Sequence, residues 1–208
     1  ENKTYLVLLL ILSLLISVFI IKSLNVNFLI NTVLVTSAFF LFFITLRDFF
    51  TKKFKNLSQN IAHFGFSLLI LSILFNNIFS TEIITNLKIG ETYEAGEFKI
   101  NFEKIDQKKG QNFEAIIGKF NIENSNGIIE NLRPELRIYN QPKIVTSEAD
   151  IKTNFLKDSF ITMNIVQNQE YFNIRYQIKP FMIWIWFSVL LITLGGLTSL
   201  ILNKRYEK

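Results

Sequence analysis

The stretch "KNLSQNIAHFGFSLLILSILFNN", Lys55 to Asn77, joins two features: a run of apolar residues and the single histidine of the chain, His63. A membrane helix needs about 20 mostly apolar residues at a rise of about 1.5 Å each. The run Ile61–Phe79 meets that length, and three more runs approach or exceed it: Tyr5–Ile21, Phe28–Leu46 and Met182–Leu202. Apart from Tyr5 at the edge of the first run, His63 is the only ionisable side chain within the four runs. One such run would also serve as a buried core helix. Four runs within 208 residues define an integral membrane protein.

The composition agrees and narrows the chemistry. Half the residues are apolar and the mean hydropathy is +0.31. Cysteine is absent, which excludes disulfides, thiolate metal sites, a cysteine nucleophile and covalent c-type haem attachment to this chain. The net charge of +5 does not point to nucleic acid, because the basic residues gather beside the apolar runs. The chain starts at Glu1, which reads as a processed or partial chain. Tyr5–Ile21 has no strongly basic leader and no small-residue cleavage site, so it reads as a membrane helix.

Loops rich in Lys and Arg stay on the cytoplasmic or matrix side. The loop "RDFFTKKFKN", Arg47 to Asn56, has four basic residues against one acidic, and the tail "NKRYEK", Asn203 to Lys208, has three against one. A four-helix chain then has both termini and that loop inside. The long segment between the third and fourth helices lies outside.

That segment, residues 81–180, has the polarity of a soluble fold and an apolar period of two. "YFNIRYQIKP" sets Phe172, Ile174, Tyr176 and Ile178 on one face and Asn173, Arg175 and Gln177 on the other. "FKINF" repeats the pattern with Phe98, Ile100 and Phe102, and "SFITMNIV" (Ser159 to Val166) is a further strand. Asn126-Gly127 between two β-rich runs is a hairpin signal. The expected architecture is four membrane α-helices (about 5–21, 28–46, 61–79 and 182–202) with a small antiparallel β domain inserted on the outer face, a sandwich or partly open barrel.

Within the third helix, Asn60, His63 and Ser67 follow one another at i, i+3 and i+7, a single polar face beside the small residues Ala62 and Gly65. A polar face in a membrane turns towards protein or a cavity. Three roles remain open for His63. It donates a helix–helix hydrogen bond, it ligates a haem iron through a neutral imidazole, or it relays protons. The absence of intramembrane carboxylates weighs against the relay. Trp184 and Trp186 read as an interfacial aromatic belt, and Gly195-Gly196 as a close-packing site. Arg133, Glu148 and Asp158 read as braces of the β domain.

Several stretches together resemble one family. "NIAHFGFSLLILSI" is similar to the segment around a membrane histidine of the cytochrome c maturation protein F (CcmF) family of haem-lyase subunits. "LRPELRIYNQPKIVTSEADIKTNFLKDSFI" (Leu132 to Ile161) is similar to that family's outer-domain segment, and "IKPFMIWIWFSVLLITLGGLTSLI" to its last helix with a basic tail. The resemblance runs from about Asn56 to Tyr206. Members of that family are usually longer, with more helices, a tryptophan-rich outer segment and further histidines. The resemblance therefore implies the C-terminal part of such a protein, either truncated or separately encoded.

It also implies that His63 is one axial ligand of a membrane b-type haem (haem b), with the second histidine outside this chain. The implied function is haem delivery, reduction and attachment to apocytochrome c. The partners would be haem, the remaining N-terminal part of the lyase, other maturation subunits, apocytochrome c and the membrane, with no nucleic acid. The implied site is the bacterial or mitochondrial inner membrane, and catalysis by this chain alone would be incomplete. Two alternatives stand beside it: the paralogous subunit that attaches haem to nitrite reductase, and a membrane-tethered β module that recruits partners without its own haem.

Overall fold

The computed structural model describes residues 2–24, 27–51, 57–166 and 170–206. Residues 52–56 of the basic loop and 207–208 of the tail, which carry part of the orientation argument, lie outside the described residues. The chain divides into two compact units, residues 1–78 with 181–208, and residues 79–180.

The first unit consists of four α-helices: α1 (Asn2–Lys22), α2 (Phe28–Thr51), α3 (Leu57–Phe79) and α4 (Met182–Tyr206). All four are long and apolar enough to cross a membrane, by length and composition. Asn27 caps α2: its Oδ1 accepts from the Ile30 amide at 3.5 Å, three residues on. No Gly or Pro interrupts α2, so the helix continues through Arg47 to Thr51, whose hydroxyl donates to the Arg47 carbonyl. The Arg47 guanidinium lies 4.4 Å from the centre of the Tyr5 ring, a cation–π contact that joins the ends of α2 and α1. Ser13 and Ser17 are fully buried on α1, each donating to the carbonyl four residues back at 2.7 Å. These small residues satisfy their own hydroxyls and let a neighbouring helix approach.

The second unit is a β-sandwich of ten strands among the described residues, every pairing antiparallel. The strands are β1 (Thr81–Leu87), β2 (Thr92–Ala95), β3 (Phe98–Lys109), β4 (Phe113–Asn124), β5 (Ile129–Leu132), β6 (Glu135–Tyr139), β7 (Ile144–Glu148), β8 (Asp150–Thr153), β9 (Lys157–Ile165) and β10 (Phe172–Pro180). One sheet runs β1-β10-β9-β8; the other runs β2-β3-β4-β6-β7, with β5 also paired to β4.

The alternation read from the sequence supplies the core. Ile100, Phe102, Ile161, Met163, Ile174, Tyr176 and Ile178 all face inward. The Phe102 and Phe120 rings stack at 4.4 Å. The Asn126-Gly127 turn joins β4 to β5; Gly127 has φ +72°, and Asn124 Oδ1 accepts from the amides of Asn126 and Ile128. Glycine takes that left-handed backbone without a Cβ penalty.

β5 and β6 share β4 because Arg133-Pro134 breaks the ladder between them. The Gly118 amide bonds the Pro134 carbonyl there, at 3.0 Å. Proline has no amide for the ladder, so the strand divides at this point.

Candidate functional site: the exposed face of the third helix

The polar residues of α3 divide between two sides. Asn60 and Ser67 are buried, at 6 % and 0 % exposure, with Gly65, Leu68, Leu71 and Ser72. His63 is exposed, with Gln59, Phe66, Ile73 and Asn77 on the same outward stripe. This corrects the single polar face expected from sequence. Seven residues advance a helix by nearly two full turns, so Asn60 and Ser67 differ by only about 20°; three residues carry His63 about 60° away from Asn60. That rotation is enough to cross from the packed side to the open side.

The buried side is fully used within the chain. Ser67 Oγ lies 2.6 Å from Thr45 Oγ1 of α2, and it reaches the Phe64 carbonyl at 2.8 Å. Asn60 Nδ2 donates to the Asp48 carbonyl at 3.5 Å. Phe64 packs its ring against Phe42 and Phe49 of α2, each at 5.6 Å, and Phe75 sits 5.7 Å from Phe39. Aromatic pairs at such separations add to the packing energy of an apolar interface.

Small residues set the distance between α3 and α4. A Cβ on Gly65 would stand 2.9 Å from Leu191 Cβ, and one on Gly195 would stand 2.7 Å from the Ala62 amide nitrogen. Gly195 therefore serves close packing as expected, whereas Gly196 is exposed and has open space at its Cβ position. Phe181 starts α4 with φ +61°, its carbonyl accepting from the Trp184 and Ile185 amides. Its ring lies 5.4 Å from Phe75 of α3, a contact that holds this unfavourable backbone in place.

His63 stands apart from these contacts. Among the described residues none hydrogen-bonds its imidazole. It lies six residues into α3, about 9 Å along the helix from Leu57. An apolar groove of about 320 Å³ between α2 and α3 is lined by Leu34, Leu41, Ile70 and Ile73 among others, and His63 is not in its lining. No group of three or more His, Cys, Asp or Glu side chains suited to a metal ion occurs among the described residues. An exposed imidazole with no hydrogen bond among the described residues has a nitrogen donor of the kind that a haem iron takes, so this residue fits such a group.

The other residues singled out from sequence lie on separate elements. Trp186 of α4 is 69 % exposed, and Trp184 meets the Phe187 ring edge-on at 6.2 Å. The Arg133 amide donates to Asp150 Oδ2 at 2.6 Å, a link from the β5–β6 break to β8. Glu148 accepts from Thr146 Oγ1 within β7 at 3.3 Å. Asp158 keeps one buried carboxylate oxygen without a hydrogen bond. Sequence reasoning did not single out Glu82, which accepts from Arg175 Nε and from Gln177 Nε2 across β1 and β10. The hydrogen bonds from Gln177 and Arg175 hold its carboxyl below the usual carboxylate range. Reversed charges on opposed strands were the available signal, but it required the β1–β10 register.

Four membrane-length helices, the third and fourth joined through an antiparallel β-sandwich, define a membrane protein with an inserted strand-built domain. Residues 78–180 match the family described as the CcmF C-terminal beta-sandwich, and through this domain the chain belongs to that family. The cytochrome c-type biogenesis protein CcmF of Pseudomonas aeruginosa is 27 % identical over 149 residues, which cover 72 % of this chain and 22 % of that protein. The Pseudomonas fluorescens CcmF is 30 % identical over 149 residues. The cytochrome c-type biogenesis protein NrfE of Haemophilus influenzae is 25 % identical over 178 residues, or 85 % of this chain and 28 % of its own length. The chain thus spans 22 to 28 % of the length of these relatives. A solved structure, the cytochrome c haem lyase CcmF, superposes with a TM-score of 0.66 at 17 % identity, covering 95 % of this chain and 34 % of the other, and so shares the fold.

Proposed function

We propose that this chain forms part of a membrane cytochrome c haem lyase and that His63 is one axial ligand of a b-type haem. The observation that carries the reading is the position of His63: exposed on a membrane-length helix, without a hydrogen bond among the described residues, while its polar neighbours Asn60 and Ser67 are spent on internal packing. A titratable side chain is costly to leave facing hydrocarbon, so another polypeptide or a cofactor covers that face. The matched relatives are several times longer than this chain and are cytochrome c biogenesis proteins. The second ligand is assigned to a histidine of that remaining part.

Bound there, the haem would supply one-electron chemistry inside the membrane. The contribution of this chain is geometric. The Gly65 and Gly195 contacts fix α3 against α4, the Thr45–Ser67 bond fixes it against α2, and His63 is thereby held at one azimuth on a rigid helix. The β domain, placed outside the inner membrane, would receive apocytochrome c and the other maturation subunits. The paralogous subunit that attaches haem to nitrite reductase stays within the same reading.

The test is to co-express the chain with the remaining part of the lyase, purify the complex and record its absorption spectrum. Replacing His63 with Ala is expected to remove or shift the b-haem bands and to lower the yield of cytochrome c. Unchanged bands with a normal yield overturn the assignment. A wild-type complex with no haem band at all would favour the tethered interaction module.

A further inference from the structure

The turn between β4 and β5 holds Asn126 followed by Gly127, a pair with chemistry of its own. The backbone nitrogen of the residue after an asparagine can attack the side-chain amide carbon and close a cyclic succinimide. Glycine favours this attack because it has no Cβ to crowd the nitrogen and leaves the backbone free to turn. Both residues are exposed, and none of the described residues hydrogen-bonds the Asn126 carboxamide. The electrophile, Asn126 Cγ, is thus open to solvent and held by no neighbour. Three other asparagines of the hairpin, Asn121, Asn124 and Asn131, are followed by Ile, Ser and Leu, each with the Cβ that glycine lacks.

The nucleophile, by contrast, is engaged. The Gly127 amide donates to the Asn124 carbonyl at 2.9 Å. Asn124 closes the turn with three more bonds: its Oδ1 accepts from the amides of Asn126 and Ile128, each at 3.0 Å, and its own amide donates to the Ile128 carbonyl at 3.1 Å. These bonds hold Gly127 at φ +72°. Attack needs a deprotonated Gly127 nitrogen and a rotation of Asn126 that brings Cγ over it. Both require the Gly127–Asn124 bond to break, so local opening of the turn sets the rate.

We propose that Asn126 is a self-modification site that Asn124 holds shut. When the turn opens, solvent takes the Gly127 amide proton, the nitrogen bonds to Asn126 Cγ, and the side-chain nitrogen leaves with a proton as ammonia. Water, the one co-reactant, then adds to either carbonyl of the succinimide. One ring opening gives aspartate at 126. The other gives isoaspartate, whose main chain runs through the former side chain and is one methylene longer. Either product adds a carboxylate to a turn already flanked by Glu123 of β4 and Glu130 of β5. The isoaspartate form also lengthens the chain just before β5, where Glu130 stands 3.7 Å from Lys157 of the opposite sheet. The change therefore bears on a contact between the sheets as well as on the turn. This inference does not depend on the haem assignment.

In the test, the full chain in detergent is incubated at mildly alkaline pH and digested. Mass spectrometry follows the fragment containing residue 126, and an isoaspartyl methyltransferase assay counts the isoaspartate. Wild type is expected to convert at 126 more slowly than the same chain unfolded in urea. Asn124→Ala is expected to convert about two- to tenfold faster than wild type, the fold-change of one lost hydrogen bond. Asn124→Asp keeps the acceptor oxygen and should stay near the wild-type rate, which separates the clamp from a general loss of fold. Equal rates in wild type, Asn124→Ala and the unfolded chain would overturn the proposal. Conversion at Asn121 or Asn131 as fast as at 126, or none at 126 in any sample, would overturn it as well. Should Asn124→Ala not fold, the comparison of wild type with its unfolded chain still decides.

Discussion

Gly195 of α4 and Ala62 of α3 approach so closely that a Cβ on Gly195 would stand 2.7 Å from the Ala62 amide nitrogen and 2.9 Å from the Ser58 carbonyl oxygen. Both of these obstacles are backbone atoms, which cannot rotate away as a side-chain end does. The next residue, Gly196, has nothing within 4 Å of its Cβ position. Gly195→Ala is therefore expected to lower helix-bundle stability by about 1–3 kcal/mol, the usual penalty of overpacking, while Gly196→Ala changes it by less than about 0.5 kcal/mol. Unfolding in mixed detergent, followed by circular dichroism, separates the two variants. Equal effects would remove the close-packing role of Gly195.

The Thr45–Ser67 hydrogen bond joins α2 to α3 at 2.6 Å, with both residues buried. Thr45 also donates to, or shares with, the carbonyls of Leu41 and Phe42 on its own helix, so its hydroxyl is not orphaned when Ser67 is lost. A double-mutant cycle with Ser67→Ala and Thr45→Val is expected to give a coupling of about 0.6 kcal/mol, the average for hydrogen bonds between membrane helices. A coupling indistinguishable from zero would mean that the bond only marks proximity.

In the sandwich, a Cβ on Gly118 would stand 2.6 Å from the Phe120 ring and 2.9 Å from Met163 Sδ. Met163 is a flexible side chain, but Phe120 is stacked on Phe102 and has little room to turn. Gly118→Ala is expected to cost about 1–3 kcal/mol in thermal or denaturant unfolding of the β domain. Pairing it with Met163→Ala should recover less than half of that loss. Full recovery would identify the methionine, not the ring, as the obstacle.

Tyr176 is buried at 1 % exposure, and burial pushes its phenol up to about 12. Its ordinary value is about 10. Between these values the unfolded chain loses the proton while the folded chain keeps it. The contribution is therefore complete below about pH 10 and is lost, at about 1.4 kcal/mol per pH unit, as pH rises towards about 12. Tyr176→Phe should flatten this alkaline slope relative to wild type in parallel melts. Identical slopes for both proteins would contradict it.

Much of this architecture was legible in the sequence, for reasons that differ by element. The four spans were visible because a membrane helix must satisfy its backbone internally along an unbroken apolar run. Phe98, Ile100 and Phe102 announced β3, and Ile174, Tyr176 and Ile178 announced β10, because the pleat alternates faces with a period of two. The azimuth of His63 was not legible. Spacing placed it near Asn60 and Ser67, but the boundary between packed and open sides passes between them, and only the Gly65–Leu191 and Ser67–Thr45 contacts fix where.

The division between Asn60 and His63 yields the most discriminating prediction. Asn60 is buried and donates to the Asp48 carbonyl across to α2, whereas His63 is exposed one helical turn later. Asn60→Ala removes a packing contact and is expected to lower bundle stability by about 0.5–2 kcal/mol, within the range for interhelical hydrogen bonds in membranes. It should leave the b-haem spectrum of the assembled complex in place. His63→Ala should do the reverse, because its imidazole bonds to none of the described residues. Stability of the isolated chain stays unchanged while the spectrum is altered, and added imidazole partly restores it. Parallel losses of stability and spectrum in both variants would mean that His63 acts through helix packing, and the ligand role would then have to be given up.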